Sequence, residues 1–303
     1  MIIAFICIVL IFNTMETISI HRPKIVVIGS CNTDMVVKAN RLPVPGETIL
    51  GGTFYMNPGG KGANQAIAAA RLGAEVTFIS KIGYDLFGLQ ALEIYRSEKI
   101  NTEFIFTDQK SPSGVALISV DSFGENSIIV APGASRSLST EDINKAEEKI
   151  KEADIILMQL EIPIDTVEYA ATIACKYGKK VILNPAPASS LSNSFLMNVH
   201  TILPNRIEAE MLSGIKVMNI ESAHRAAQAI GEKGIENVVI TLGKDGAYVK
   251  EKDEYTMIPA KEVETIDTTG AGDAFIGSLL YQLAEDGVTT DSIADLTEDK
   301  LEE

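Results

Sequence analysis

An α/β protein is predicted: a doubly wound, mostly parallel sheet flanked by helices, with a small β-sheet standing off as a lid. Three observations predict it. Residues 24–29 (Lys-Ile-Val-Val-Ile-Gly) form a short β-branched run ending in glycine, the mark of a buried parallel strand. Strand-like runs then alternate with helical stretches, which implies a sheet covered on both faces. Between residues 104 and 130 the alternation stops, and strand-like runs follow one another with no helix between them.

Taken in order, Asn32 and Asp34 come at the carboxyl end of the first strand, where open α/β sheets place ligand groups. Residues 35–38 and 47–54 read as strands around the turn-rich Leu42-Pro43-Val44-Pro45-Gly46. Residues 62–72 are Ala-rich and helical, 76–82 a strand and 86–98 a helix. Next, 104–106, 114–120 and 126–130 are strand-like, separated by Pro-Ser-Gly and Phe-Gly-Glu turns. That segment reads as antiparallel and, with 35–54, as the small sheet. Ser139, with Asp142 three residues on, opens a helix through 153. Strands follow at 155–159, 181–184, 202–203 and 238–241, with helices at 164–177, 205–212 and 222–232. Residues 246–250 and 254–258 pair as a hairpin, and 271–284 is the last helix. The expected organisation is a non-core extension over 1–23, the α/β domain over 24–284 with its lid from 35–54 and 104–130, and an acidic tail over 285–303. No internal repeat or low-complexity linker interrupts it.

At 303 residues, 46% hydrophobic and 22% charged, the chain is long enough to bury a large core. A formal charge of −15 argues against nucleic acid or an anionic membrane as the main partner. It leaves room for a phosphate ligand, because local N–H groups bind anions inside acidic proteins. Cys7, Cys31 and Cys175 are too few and too scattered for a disulfide framework or a zinc cluster, so a reducing, cytoplasmic setting is expected. His21, His200 and His224 show no metal-ligand spacing, and no Gly-x-Ser-x-Gly elbow is present for a serine hydrolase. Residues 2–12 are an apolar run too short to span a bilayer, with no preceding Lys or Arg. Met15 is the expected start, residues 1–14 being an over-extended start or a non-core leader.

Chemistry concentrates in two glycine-rich segments. In Asp267-Thr268-Thr269-Gly270-Ala271-Gly272-Asp273, small residues and a carboxylate stand at the mouth of an apolar helix. Unpaired N–H groups there, with the helix dipole, form a seat for negative charge. Asp273 beside it is placed to take a proton from an attacking hydroxyl, which suits phosphoryl transfer to an alcohol. A plain Gly-rich turn, with Asp273 complementing the dipole, reads equally well from this segment alone. The second segment, Asn57-Pro58-Gly59-Gly60-Lys61-Gly62-Ala63-Asn64-Gln65, has neither P-loop nor dinucleotide spacing. Its glycines let the backbone close on a small polar ligand, with Lys61 and Asn64 supplying directed groups; a capped helix start is the alternative.

Together these segments resemble the paired signatures of the ribokinase/PfkB family of carbohydrate kinases, and the resemblance covers nearly all of residues 24–284. Gly73 and Gly83, Gly29-Ser30-Cys31-Asn32-Thr33-Asp34, Met158-Gln159-Leu160-Glu161, Leu183-Asn184-Pro185-Ala186-Pro187 and Thr241-Leu242-Gly243 add to it in the right order. The resemblance implies a ribokinase-like fold and ATP-dependent phosphorylation of D-ribose at its 5-hydroxyl, giving D-ribose 5-phosphate for ribose catabolism. It implies that Asn32, Thr33 and Asp34 bind the sugar, with Gly60, Lys61, Gly62, Ala63 and Asn64 opposite and Glu161 at the anomeric end. A carboxylate accepting from two neighbouring hydroxyls selects a cis-diol over a deoxy sugar. Asp273 would be the base, with Gly270, Ala271 and Gly272 as the anion hole. Asn205 and Glu208 would act near magnesium and the nucleotide phosphates, and Thr241, Leu242, Gly243, Lys244, Asp245 and Gly246 would line the nucleotide with Gly272 and Asp273. Asp267 and Thr269 would help hold a monovalent cation, usually potassium. The lid would cover the sugar and form a homodimer interface, excluding water from the reaction.

Two departures stand out. Arg206 occupies a position where the family commonly carries Glu, which changes the charge near magnesium. Beyond Asp273 the family continues through a helix pair, whereas residues 285–303 here hold eight acids against one Lys, so the chain reads as truncated or frame-altered at that end. The alternatives left open are another acceptor (a different pentose, deoxyribose, fructose, or a nucleoside such as adenosine) and a sugar-binding relative with weak or no kinase activity.

Overall fold

The structure, a computed structural model, describes residues 22–260 and 270–285. Residues 1–21 of the expected 1–23 extension, residues 286–303 of the expected tail, and Asp267 and Thr269 lie outside the described residues. In chain order the strands are β1 (Lys24–Ile28), β2 (Asn32–Lys38), β3 (Thr53–Gly59), β4 (Glu75–Gly83), β5 (Ile105–Asp108), β6 (Gly114–Val120), β7 (Asn126–Ala131), β8 (Ile155–Met158), β9 (Lys180–Leu183), β10 (Thr201–Ile202), β11 (Asn237–Thr241), β12 (Ala247–Glu251) and β13 (Glu254–Ile258). The helices are α1 (Lys61–Arg71), α2 (Leu86–Ser97), α3 (Thr140–Lys145), α4 (Glu147–Glu152), α5 (Ile164–Lys176), α6 (Asn193–Leu196), α7 (Arg206–Ser213), α8 (Ile220–Gly231) and α9 (Ala271–Glu285).

The main sheet runs β13-β12-β11-β10-β9-β8-β1-β4-β5 and is parallel except for the closing antiparallel pairs of β12 with β11 and β13. Successive side chains along β1 face opposite ways, so burial on both sides needs two apolar layers. Val26 and Ile28 join the cluster under α3, α4, α5 and α8, while Ile25 and Val27 join the one under α1 and α9. This is the doubly wound arrangement the alternation predicts.

The second sheet has the order β3-β2-β6-β7. Its β6–β7 pair is antiparallel, as expected of that segment, and so is β2–β3; β2 and β6 run parallel, so the sheet as a whole is mixed. The expected strand over 47–54 is instead Thr53–Gly59. Gly51 and Gly52, at φ 109° and 102°, turn the chain before pairing begins. Pro58 is tolerated because β3 is an edge strand. Ile105–Asp108 also leaves the expected group, pairing in parallel with β4 at the border of the main sheet.

The helix expected through 153 breaks at the buried Ala146 into α3 and α4. Its start is as expected, with Ser139 and Asp142 forming a reciprocal capping box. The short α6, capped by Ser192, was not expected. Other boundaries move by a residue or two, within the usual fraying of element ends.

Candidate active site

The site is built where β1, β8 and β9 end, with the small sheet on one side and the first turns of α1, α7 and α9 on the other. Only residues 29–31 separate β1 from β2. Helix α1 begins against this connection: the Ala63 N–H donates to the Ser30 carbonyl (3.0 Å). Such an approach needs glycine. A Cβ on Gly62 would lie 2.8 Å from the Gly29 backbone, and one on Gly60, at φ 90°, would lie 2.9 Å from Cys31 Cα. No side chain caps α1; the Glu161 carboxylate accepts from the Lys61 N–H (3.0 Å) and from Ser30 Oγ (2.5 Å). An anion is thereby held on a helix N-terminus, where the dipole favours it.

Asp34 projects from β2 over Gly59, its carboxyl occupying the space a Cβ there would take. Burial, and then the charges of Glu161 and Asp273, push its pKa up to about 6. Asp273, on the first turn of α9, is almost fully buried and accepts from Asn64 Nδ2 (3.0 Å) and Gln65 Nε2 (2.8 Å). The Ala274 N–H makes the first intrahelical bond, to the Gly270 carbonyl (2.9 Å). The amides of Ala271 and Gly272 therefore have no acceptor inside the helix, and both residues are exposed. Between these groups and the small sheet lies a cavity of about 430 Å³, bordered by Asp34, Asn57, Tyr55, Asn64 and Gly270.

On the neighbouring side, Asn205 and Glu208 form a reciprocal capping box at the start of α7. Both Glu208 oxygens accept from Asn205 (2.8 and 2.9 Å). Burial raises the Glu208 pKa, against the lowering effect of those bonds and of Lys61. Thr241 bridges to Asn205, and residues 242–246 close a tight turn in which the Leu242 N–H donates to the Gly246 carbonyl (2.7 Å). The unusual Arg206 holds that turn, donating to the Leu242 carbonyl (3.2 Å) and Asp245 Oδ2 (2.6 Å).

Asn32, Asp34, Lys61, Asn64, Glu161, Glu208 and Asp273 thus gather at one end of the sheet. Thr33, Gly62 and Ala63, expected on the sugar side, are turned or packed away from it. Thr33 alternates with Asp34 and turns its side chain to the other face of β2. Gly62 and Ala63 pack on residues 29–30 rather than facing the cavity. Sequence reasoning also assigned no role to Gln65, Gln159 and Asn184, which the structure links to Asp273. Gln159 Nε2 donates to Gln65 Oε1 (2.6 Å), Gln65 Nε2 to Asn184 Oδ1 (3.1 Å), and Asn184 Nδ2 to the Leu203 carbonyl (3.0 Å). The signal was present: Gln65 interrupts the buried Ala63-Ala66-Ala69 stripe, Gln159 follows the apolar strand β8, and Asn184 follows the buried Val181-Ile182-Leu183.

A doubly wound sheet ending beside a cavity that holds Asp34, with an open helix N-terminus next to a buried aspartate, is the arrangement of a phosphotransferase acting on an alcohol. The profile of the pfkB family carbohydrate kinases matches residues 22–295. The chain is 45% identical to the ribokinase of Haemophilus influenzae over 265 residues, 88% of this chain and 87% of that one. It is 38% identical to the deoxyribokinase of Salmonella typhi, over 87% and 86% of the two chains. The structure of Arabidopsis thaliana ribokinase complexed with ribose and ATP superposes with a TM-score of 0.78 at 30% identity, covering 88% of this chain and 87% of that one. This protein belongs to the pfkB family of carbohydrate kinases.

Proposed function

We propose that this kinase transfers the γ-phosphoryl group of ATP to the 5-hydroxyl of D-ribose. The observation that carries the reading is Asp34, which lines the cavity and is raised above the ordinary carboxylate range, together with Asp273, held by two amides on the helix turn whose Gly270 and Ala274 line the same cavity. Asp34 accepts from two adjacent sugar hydroxyls, with Asn32 and Asn64 beside it. Asp273 takes the proton of the 5-hydroxyl as that oxygen bonds to phosphorus. The bond from phosphorus to the bridging oxygen breaks, and ADP leaves with the electron pair. The Gly270, Ala271 and Gly272 backbone holds the transferring group's charge, and Thr241 to Gly246 hold the nucleotide.

Among the described residues no three His, Cys, Asp or Glu side chains form a metal cage. Magnesium in kinases is held mainly by phosphates and water with one or two carboxylates, and the buried Glu208 fits that arrangement. When bound, magnesium neutralises charge on the phosphates. Potassium at Asp267 and Thr269 remains part of the proposal, as does a cytoplasmic location, where ATP is at hand. No helix among the described residues is long and apolar enough to cross a membrane.

The test is a coupled assay with ribose and MgATP on Asp273→Asn. Turnover should fall by about 10²–10⁴-fold while calorimetric ribose affinity stays within a few-fold. Undiminished turnover would remove Asp273 from the base role. The 38% identity to deoxyribokinase supports 2-deoxyribose as a second acceptor. Loss of one hydroxyl to Asp34 predicts kcat/KM lower by roughly 10–100-fold for that sugar; equal values would make this a deoxyribose-tolerant kinase.

A further inference from the structure

We infer that Gln65 is the positioning residue of the transfer, a buried amide that orients the Asp273 carboxylate toward the acceptor; this rests on the reading of Asp273 as the base. The direction of every bond in the chain is forced. The Leu203 carbonyl can only accept, so Asn184 must present its Nδ2 to it and its Oδ1 to Gln65. Gln65 Nε2 then meets two acceptors at once, Asn184 Oδ1 and Asp273 Oδ1, while its Oε1 receives Gln159 Nε2. Turning the Gln65 amide over would set its oxygen against both acceptors. Its orientation has one solution, and so has the carboxylate bonded to it.

Stability alone does not ask for this chain. Gln65 and Gln159 are fully buried, and among the described residues Gln159 Oε1 has no hydrogen-bond partner. Apolar side chains of like size would fill the same space without an orphaned acceptor. Nearby backbone has been cleared for it as well. Gly29 leaves the space in which Gln159 Oε1 lies, and Gly277 lets α9 lie close on α1, where its Cβ would stand 3.0 Å from the Gln65 carbonyl. Four elements (α1, β8, β9 and α9) thus meet through amides at the one carboxylate whose direction decides proton transfer. Charged groups around that carboxylate are Asp34 on β2, Glu208 on α7, and Lys61, which acts on Glu208.

Gln65→Glu keeps the acceptor for Gln159 but sets a carboxyl against Asp273. We expect kcat at pH 7 to fall at least 100-fold, the acidic limb of kcat to move up by at least one pH unit, and ribose Kd to stay within threefold. A purely structural role predicts joint loss of Tm and sugar affinity with the acidic limb in place, and that result overturns the inference. So does wild-type kcat with an unshifted limb while Asp273→Asn is inactive. An active Asp273→Asn instead sinks the base reading beneath it. If Gln65→Glu fails to fold, Gln159→Met decides: kcat should drop about tenfold at unchanged ribose Kd, and unchanged kcat refutes the positioning role.

Discussion

Asp34 carries a charge that its surroundings in the folded chain disfavour. Its folded pKa of about 6 exceeds the ordinary 3.8, so the native state binds more protons than the unfolded one between those values. Stability therefore falls as pH rises from about 4 to about 6 and stays lower above that. Asp34→Asn removes the unfavourable charge and should stabilise the sugar-free protein at pH 7.5 by about 1–2 kcal/mol after discounting for solvent screening. The same substitution should weaken ribose binding, because a carboxamide cannot accept from two hydroxyls as a carboxylate does. In the parent protein, ribose affinity should decline as pH drops below 6. Melting curves and calorimetry at pH 5 and 7.5 check both; an affinity flat across that range would place the sugar away from Asp34.

At the scale of elements, the glycine-started helix α1 is the organising piece. It carries Lys61, Asn64 and Gln65, rests on residues 29–31, and forms one wall of the cavity through Asn64, Ile67, Ala68 and Arg71. Gly62→Ala puts a methyl 2.8 Å from the Gly29 backbone. Overpacking of this kind costs about 1–3 kcal/mol, and we expect a lower Tm with ribose KM raised at least tenfold; unchanged KM would separate α1 from the sugar. Such elements were legible in the sequence because their signals are local: β-branched runs, Ala-rich stretches, and the capping pattern at Ser139. The amide chain was not, since Gln65, Gln159 and Asn184 lie far apart in sequence and meet only when β8, β9 and α1 stack. Nor was the extent of the small sheet. Val-rich runs report extension, but only the Gly51-Gly52 turn and the parallel β2–β6 pairing decide which residues face one another.

Across the whole molecule, the small sheet has two unlike faces. Asp34, Val36, Tyr55 and Ile118 look into the cavity. The opposite face carries Met56, Met35, Leu117 and Ile129 in one row across all four strands, with Val37 and Phe54 beside them. Of these, Val37, Phe54, Met56, Leu117 and Ile129 are exposed. Contiguous apolar surface of this kind marks an interaction face, and a second copy of the chain would cover it in a self-complementary way. We expect a dimer by light scattering and a monomer for Leu117→Lys, with the fold intact by circular dichroism. A monomeric parent would refute the pairing.

Residues 29–31 join the two sheets through a short buried link. Asp34 rides on the outer sheet, whereas Asp273 is tethered through Gln65 to the main body. The link is buried and bonded to the start of α1, so the two acids stand on separate elements at a set separation. If these two acids hold the guest and take its proton, the two tasks answer to different side chains, and exchanging a guest-facing residue should change which alcohol is held while the reactive carboxylate keeps its bearing.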